Sequence, residues 1–262
     1  MVYLPLANQN TFKEINDIVN RNIKTFSDNP AVANAFAKDL VQLLQSLTES
    51  QSKVTVSLSG GSTPKLLFDV LATEFATAVD WQKIHFFWGD ERCVPPTDAE
   101  SNFGAAESLL LSKIDITPDN IHRVISESAP ENARDDYVSQ IIDHVTLDEN
   151  GVPSFDVMIL GMGSDGHTAS IFPHEIELLK SDRVCEVATH PQTGQKRITV
   201  TGPVLNASKR VFFLITGESK AKVLAEIVNQ TGDFQSYPTT HIAMPSGSAM
   251  YIDEPAGAKL SL

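Results

Sequence analysis

The chain has 262 residues, of which 42% are hydrophobic and 20% charged, and its formal net charge is −13. This composition is typical of a globular protein with enough apolar material for one large core. The negative charge argues against a nucleic acid or an anionic membrane as partner, because both require a basic surface. The N-terminus lacks the pattern of a signal peptide and no apolar run is long enough to span a membrane, so we expect a cytoplasmic protein.

The first clear element is a helix over residues 29–50. Asn29 suits the N-cap, Pro30 suits the first helical position, and apolar residues recur at helical spacing as far as Ser50. Residues 1–28 show no clear pattern. Further helices are predicted over residues 63–75, 101–113, 131–146 and 219–230. The inner stripe of the helix over residues 131–146 consists of Tyr137, Ile141, Ile142 and Val145.

Strands alternate with these helices. We predict them at residues 53–59, 84–88, 155–160, 183–189, 197–201, 210–216 and 250–253, with a short one at 121–124. The run at residues 155–160 carries no charge after Asp156, which indicates a strand buried on both faces. This alternation favours βαβ units and a mostly parallel sheet. Because the sequence contains neither repeats nor a low-complexity linker, we expect one α/β domain over residues 1–262.

A glycine-rich loop follows the buried strand, with the sequence GMGSDGHTASIFP over residues 161–173. In open α/β sheets the ligand lies beyond the carboxyl ends of the strands, where this loop is expected. Asp165 and His167 supply a carboxylate and an imidazole two positions apart, and histidine is the side chain that changes charge closest to neutral pH. The pair suits acid–base chemistry on a small anionic molecule, with His167 as the general base.

The same loop contains the pattern G-x-G-x-x-G, from Gly161 to Gly166, which occurs in dinucleotide-binding folds. Glu186 lies about where the ribose-binding acid of such folds is expected. However, those folds need a full helix opening at the third glycine, and Pro173 leaves room for only about two turns. We therefore expect neither a nicotinamide nor a flavin cofactor.

A second loop, SLSGGSTP over residues 57–64, leads from a strand into a helix. Thr63 suits the N-cap of that helix and Pro64 its first position. The backbone N–H groups near the helix N-terminus are those of Gly60, Gly61 and Ser62. Exposed N–H donors and the positive end of the helix dipole favour a phosphate group. A capped turn without a ligand explains the same residues, and the spacing favours neither interpretation.

Charged residues follow the strand at residues 84–88. Arg92 is a candidate anion ligand because it lies at the carboxyl end of a buried strand, with Asp90 or Glu91 as its orienting partner. A charge triplet at the tip of a strand is otherwise a solvated turn.

The remaining residues of this loop have simpler interpretations. Asn102 could reach the ligand, although either Ser101 or Asn102 suits the N-cap of the next helix. Cys93 lies beside acidic residues that disfavour its thiolate, and together with Cys185 it gives neither a disulfide framework nor a metal-ligand spacing. There is also no G-x-S-x-G motif, so a hydrolase with this sequence would use water as its attacking group.

Two further cations lie at the ends of predicted elements. Arg197 begins a strand, where a lone basic residue is usually at the surface. Lys220 lies in the first turn of a helix, where its charge opposes the helix dipole and a bound anion would relieve the conflict. Both are candidate phosphate ligands.

In this order and spacing, the segments resemble the 6-phosphogluconolactonases of the pentose phosphate pathway. They are SLSGGSTP, FFWGDERCVPPTDAESNFGAA, ILGMGSDGHTASIFP, KRITVTGPVLNAS and ITGESKA. The similarity runs from about Asn29 to the C-terminus. It implies a doubly wound α/β fold shared with glucosamine-6-phosphate deaminases and ribose-5-phosphate isomerases. It also implies hydrolysis of 6-phospho-D-glucono-1,5-lactone without a cofactor.

The resemblance assigns roles to residues as well. His167 matches the general base that activates water, and Asp165 is its neighbour. Gly60, Gly61, Arg92, Arg197 and Lys220 match family positions that line the substrate pocket. The full set of expected substrate- and phosphate-binding residues adds Ser62, Asp90, Glu91, Asn102 and Gly163. Backbone N–H groups of the glycine loops would stabilise the oxyanion. The expected partner is a small phosphorylated sugar lactone, no metal is expected, and the oligomeric state stays open, with a monomer favoured.

Some positions depart from the family pattern. His174 and Glu175 follow Pro173 where glycine is usual, and His241 and Tyr251 stand where arginine and tryptophan are common. A histidine common in the family after the segment GDER is absent.

Two other functions stay open. A glucosamine-6-phosphate deaminase or sugar-phosphate isomerase would use a similar phosphate pocket, and ammonia release would identify the deaminase. A sugar-phosphate sensor would bind without turnover, which leaves His167 without a role.

Overall fold

The computed structural model describes residues 22–260. The strands are β1 (Ile23–Phe26), β2 (Val54–Leu58), β3 (Ile84–Trp88), β4 (Asp90–Arg92), β5 (Val157–Gly161), β6 (Cys185–Thr189), β7 (Lys196–Val200), β8 (Val211–Ile215) and β9 (Ala249–Asp253). The α-helices are α1 (Asn29–Ser50), α2 (Ser62–Glu74), α3 (Asn102–Leu109), α4 (Pro130–His144), α5 (Gly202–Ala207), α6 (Ala221–Asn229) and α7 (Glu254–Gly257).

Six strands form a parallel sheet in the order β1-β9-β8-β5-β2-β3. From β2 the chain moves outward to β3, and from β5 it moves outward in the opposite direction to β8 and β9. The strand order therefore reverses between β2 and β5, and in sheets of this kind ligands bind beyond the carboxyl ends of the strands at that point. The mostly parallel sheet predicted from the sequence is confirmed.

The core lies on both faces of this sheet, as the apolar run at residues 155–160 predicts. Val157 and Ile159 point into a core with α1, α2 and α3, whereas Met158 and Leu160 point into a core with α4, α5 and α6. Because side chains alternate along a strand, a strand with apolar residues at every position needs helices on both faces. Val157, Met158, Ile159 and Leu160 are each at most 1% exposed.

A second, antiparallel sheet has the order β4-β7-β6. Its register sets Asp90 opposite Thr199 and Arg92 opposite Arg197. The amide of Val200 donates to the carbonyl of Gly89, which joins β3 to β4. This sheet therefore extends from the carboxyl end of β3. The sequence predicted β6 and β7 as strands but not β4, because three charged residues are typical of a turn.

Several element ends differ from the predictions. Asp28, not Asn29, caps α1, since its carboxylate accepts a hydrogen bond of 2.8 Å from the amide of Ala31. Helix α2 has Gly61 as its N-cap, not Thr63. The helix predicted over residues 101–113 ends as α3 at Leu109 and is followed by a 3₁₀ turn.

The remaining differences concern short or exposed segments. Of the strand predicted at residues 121–124, only Ile121 pairs, with Phe86. Ile142 is 44% exposed, so of the predicted inner stripe Tyr137 and Ile141 are buried on α4 and Val145 is buried just after it, while Ala133 is buried as well. Strand β1, in the segment without a clear pattern, pairs with β9. Residues 1–21 lie outside the described residues. Between residues 22 and 260, no helix combines the length and apolar character that crossing a membrane requires.

Candidate active site

The loops after β2 and β5 meet where the strand order reverses. A Cβ built on Gly161, at the end of β5, would lie 4.0 Å from Oγ of Ser59, just after β2. The two glycine-rich loops of the sequence therefore lie side by side, at the place where a ligand of this fold binds.

Asp165 and His167 form a hydrogen-bonded pair in the loop after β5. His167 Nδ1 lies 2.6 Å from Asp165 Oδ1, and the same oxygen accepts the main-chain N–H of His167 at 3.2 Å. A Cβ on Gly163 would lie 2.1 Å from His167 Nδ1. Glycine at this position therefore makes room for the pair. Gly163 thus has a structural role in addition to its expected contact with substrate.

The protonation of the pair follows from its geometry. Burial acts to raise the pKa of Asp165, but the hydrogen bond and charge of His167 outweigh it and lower the pKa to about 2. A carboxylate only accepts hydrogen bonds, so Nδ1 of His167 is the donor in this pair. In the neutral imidazole, Nε2 then keeps a free lone pair. Because the side chain of His167 is 29% exposed, solvent can reach it.

Arg197 and His167 both lie against the buried ring of Phe172. The His167 and Phe172 ring centroids are 4.7 Å apart, and the guanidinium carbon of Arg197 lies 5.9 Å from the centroid of Phe172. Asp90 lies 3.9 Å from Arg197 and also accepts a hydrogen bond of 2.6 Å from Ser170. Burial lowers the pKa of Arg197, while the charge of Asp90 opposes this. A buried arginine and the histidine therefore share one aromatic neighbour.

The expected partnership of Arg92 with Asp90 or Glu91 is wrong. Arg92 Nη1 donates instead to the carbonyl of Glu100 at 2.5 Å. Glu91 accepts the backbone N–H groups of Arg92, Asn102 and Phe103 and thereby ties β4 to the start of α3. Burial raises the pKa of Glu91, and it outweighs the hydrogen bonds from these three donors, which act to lower that pKa. At 1% exposure, Glu91 positions the loop from beneath.

Asn102 is the first residue of α3, and Ser101 is the N-cap, since its Oγ accepts the amide of Gly104 at 3.0 Å. The Asn102 side chain donates to the carbonyl of Asp90 at 2.9 Å. A Cβ on Gly60 would lie 1.8 Å from Asn102 Oδ1. Asn102 therefore packs directly against the glycine loop, which only glycine at position 60 allows.

A cavity of about 250 Å³ opens at the N-terminus of α2. It is lined by Gly60, Gly61, Ser62, Lys65, Phe68, Arg92, Ala99, Glu100, Ser101, Asn102 and Ala105. Gly61, with φ +112°, provides no side chain to cap the first amides of α2. The buried Nε of Arg92 also has no partner among the described residues. Uncapped amides and an unpaired guanidinium nitrogen are donors that suit an anion.

Lys220 is not among the residues that line this cavity. It ends a 3₁₀ turn, Glu218–Lys220, that follows β8 and precedes α6. A hydrogen bond of 2.8 Å between the hydroxyls of Thr63 and Thr216 joins the start of α2 to the end of β8. Burial lowers the pKa of Lys220, while the charge of Asp165 raises it. Within residues 22–260, Lys220 has no carboxylate within 4 Å, so its ammonium group is available to a ligand.

Two residues near this site were not predicted from the sequence. Lys65 lines the cavity from the first turn of α2, the kind of helical position from which Lys220 was predicted as an anion ligand. His190 follows β6, and its ring centroid lies 5.3 Å from that of Phe172. Burial and the charges of Arg197 and His167 lower the pKa of His190. Its position after a strand of the second sheet gave no signal, because that sheet was not predicted.

The other singled-out residues lie elsewhere or are chemically unsuited. His241 contacts the carbonyl of Gln235, and Tyr251 donates to Asp39 on α1. Burial and the charges of Glu91 and Glu131 raise the pKa of Cys93 to about 11, which agrees with its dismissal as a nucleophile.

The family model described as glucosamine-6-phosphate isomerases/6-phosphogluconolactonase matches residues 27–251. A 6-phosphogluconolactonase of Treponema pallidum is 46% identical over 220 residues, which cover 84% of this chain and 90% of that protein. A 6-phosphogluconolactonase of Haemophilus influenzae is 43% identical over 208 residues, covering 78% and 86%.

Solved structures show the same similarity. The crystal structure of a protein called devB has a TM-score of 0.82 and 40% identity, and the match covers 91% of this chain and all of that one. The 6-phosphogluconolactonase of Thermotoga maritima has a TM-score of 0.75 and 30% identity, with 88% and 98% covered. A monomeric glucosamine-6-phosphate deaminase, at 18% identity and a TM-score of 0.72, shares the fold.

Proposed function

Because the chain belongs to the glucosamine-6-phosphate isomerase/6-phosphogluconolactonase family, we propose that it hydrolyses 6-phospho-D-glucono-1,5-lactone to 6-phospho-D-gluconate. This is a step of the oxidative branch of the pentose phosphate pathway. The relatives at 43% and 46% identity carry the name of this activity. Among the structural observations, the hydrogen bond between Asp165 and His167 carries the proposal.

His167 is the general base. Asp165 holds the Nδ1 proton, so Nε2 can take a proton from a water molecule as its oxygen attacks C1 of the lactone. The ester bond from C1 to the ring oxygen then breaks, and the proton on Nε2 passes to that ring oxygen. The product is an open-chain acid with a free hydroxyl, and the imidazole returns to its starting form. This role is worth about 10²–10⁴-fold in rate.

Arg197 stabilises the oxyanion that forms on C1. The backbone N–H groups of the two glycine loops were the expected donors, but in the loop after β5 those of Gly163, Gly166 and His167 already have acceptors. Arg197, by contrast, lies against the same phenyl ring as the histidine and has a buried Nε without a partner among the described residues. A fixed, partly desolvated cation at this position lowers the barrier without reorganising during the reaction.

The phosphate binds at the N-terminus of α2, with Arg92 on one side and Lys220 on the other. The uncapped amides, the helix dipole and two cations provide charge and donors for a dianion. Binding the remote phosphate fixes the ring, so that C1 stays close to His167. Gly60, Gly61 and Ser62 act through their backbone, while Asp90, Glu91 and Asn102 hold the cations and loops in place.

The fold supports further proposals about the whole chain. One continuous six-stranded sheet with a core on each face supports a single α/β domain. We also propose a monomer in the cytoplasm whose partner is the small phosphorylated lactone.

A coupled assay tests the proposed activity. Glucose-6-phosphate dehydrogenase generates the lactone, 6-phosphogluconate dehydrogenase reports the acid, and spontaneous hydrolysis is subtracted with a blank. We expect the chain to accelerate acid formation, with His167→Gln as the matched inactive control. Equal rates with the chain and with His167→Gln would refute the proposal. Ammonia release from glucosamine 6-phosphate, measured in parallel, would instead identify a deaminase.

A further inference from the structure

Three histidines converge at a place distant from the cavity. His85 is the second residue of β3, and His144 is the last residue of α4. His122 directly follows Ile121, which pairs with Phe86 of β3. His85 lies in the amino-terminal half of its strand, whereas the cavity lies beyond the carboxyl ends of the strands. The three histidines therefore belong to the opposite edge of the sheet and take no part in the proposed reaction.

Their ring nitrogens are arranged closely enough to share one ion. His85 Nδ1 lies 2.9 Å from His122 Nε2, and one ligand nitrogen from each of the three residues lies within 4.8 Å of the others. Around a tetrahedral Zn²⁺ with bonds of about 2.0–2.1 Å, imidazole nitrogens lie about 3.4 Å apart. Small side-chain rotations would thus bring all three nitrogens to one metal ion.

The rings are also held in place by their surroundings. Phe87 stacks on His122 with a centroid distance of 4.4 Å, and the His122 main-chain N–H donates to the carbonyl of Phe86. The ring centroids of His122 and His144 are 4.2 Å apart. His122 is 5% exposed, whereas His85 and His144 are half-buried. A metal ion could therefore enter from solvent and meet an arrangement that is already largely formed.

We propose that His85, His122 and His144 bind a divalent first-row transition metal ion such as Zn²⁺, with water as the fourth ligand. Imidazole is a preferred ligand of this class of metal, and three histidines with an open position are a known zinc arrangement. The short distance between His85 and His122 requires that at least one of the two facing nitrogens lacks a proton, as a metal ligand must. The bound ion would join β3, the segment at residue 122 and the end of α4.

Lys53 opposes metal binding. Its ammonium group donates to the carbonyl of His144 at 2.5 Å, and its charge acts on both His85 and His122. None of the three proposed ligands is a carboxylate that would offset the charge of Lys53. This favours metals with high intrinsic affinity for imidazole, in the order Cu²⁺ above Zn²⁺ above Mn²⁺.

The test uses the full chain without a histidine tag, stripped of metal. Zn²⁺ is titrated by calorimetry, and Co²⁺ is added to record the visible absorption of a tetrahedral site. In the His144→Gln variant, and equally in His85→Gln, we expect Zn²⁺ to bind more than ~100-fold more weakly, beyond the ~10–100-fold effect of losing an outer-shell contact. The Co²⁺ absorption should disappear in both variants.

His190→Gln is the matched control, because it removes a histidine that lies against Phe172 and is not one of the three proposed ligands. It should keep the Zn²⁺ affinity and the Co²⁺ spectrum of the unmodified chain. Thermal denaturation without metal verifies that His144→Gln and His85→Gln are folded. Unchanged Zn²⁺ affinity in these two folded variants, or no Zn²⁺ binding by the unmodified chain, would overturn the proposal and leave a hydrogen-bonded histidine cluster.

Discussion

Asp165→Asn removes the negative charge beside the proposed base and changes little else. Oδ1 of Asp165 accepts hydrogen bonds from both Nδ1 and the main-chain N–H of His167, and an asparagine oxygen can keep both. What is lost is the charge that stabilises the imidazolium as it forms. A hydrogen bond to a charged group contributes about 1.5–3 kcal/mol, which corresponds to roughly a 10–200-fold lower kcat. KM should change little, because Asp165 does not hold the phosphate.

The coupled lactone assay, run from acid to neutral pH, measures this change. Removing the carboxylate disfavours the protonated imidazole, so the acid limb of the profile of kcat/KM against pH should move to lower pH. Asp119→Asn, at an exposed residue outside the cavity, is the matched control and should show neither effect. Full turnover and an unmoved acid limb in Asp165→Asn would refute the assignment of His167 as a base oriented by Asp165.

Three further substitutions test the phosphate site and the core. Lys220→Met should raise KM about 10–200-fold with a small change in kcat, because it removes a charged contact to the remote phosphate; steady-state kinetics with an unchanged KM would move the phosphate elsewhere. Gly60→Ala must displace Asn102, whose side chain bonds to the β4 backbone, and should lower the free energy of unfolding by about 0.5–1.5 kcal/mol, as denaturant titration would measure. Tyr137→Phe removes a buried hydroxyl that bonds to both the N–H and the carbonyl of Trp88 at 2.7 Å, and should destabilise by about 1–3 kcal/mol; an unaltered denaturation midpoint would contradict this.

The parallel sheet was predictable because its strands are short apolar runs with helices between them. Residues 155–160 show this best, since apolar residues at successive positions can only be buried by helices on both faces. The second sheet was not predictable in the same way. Its middle strand, β7, pairs with β4, which is a charged segment of three residues. The register of this pairing depends on contacts about 100 residues away in sequence.

In the candidate site, too, local pairs of residues were predictable from the sequence and pairs across the second sheet were not. Asp165 and His167 are two residues apart, so their pairing follows from local sequence and from their place after a buried strand. The partner of Arg197 is Asp90, on another strand of the unpredicted sheet. The sequence could suggest each charged residue, but the wrong pairing of Arg92 with Asp90 or Glu91 shows that only the strand register decides between partners. His190 was missed for the same reason.

The register that sets Arg92 opposite Arg197 has an energetic consequence for the ligand-free protein. Like charges directly opposite each other on neighbouring strands repel, and the charge of Arg92 indeed lowers the pKa of Arg197. The folded protein therefore places two like charges on neighbouring strands, and within residues 22–260 only Arg197 of the two has a carboxylate within 4 Å. In the proposed binding mode, a phosphate dianion beside Arg92 would offset this repulsion, and the small antiparallel sheet should then be more stable with substrate bound than without it.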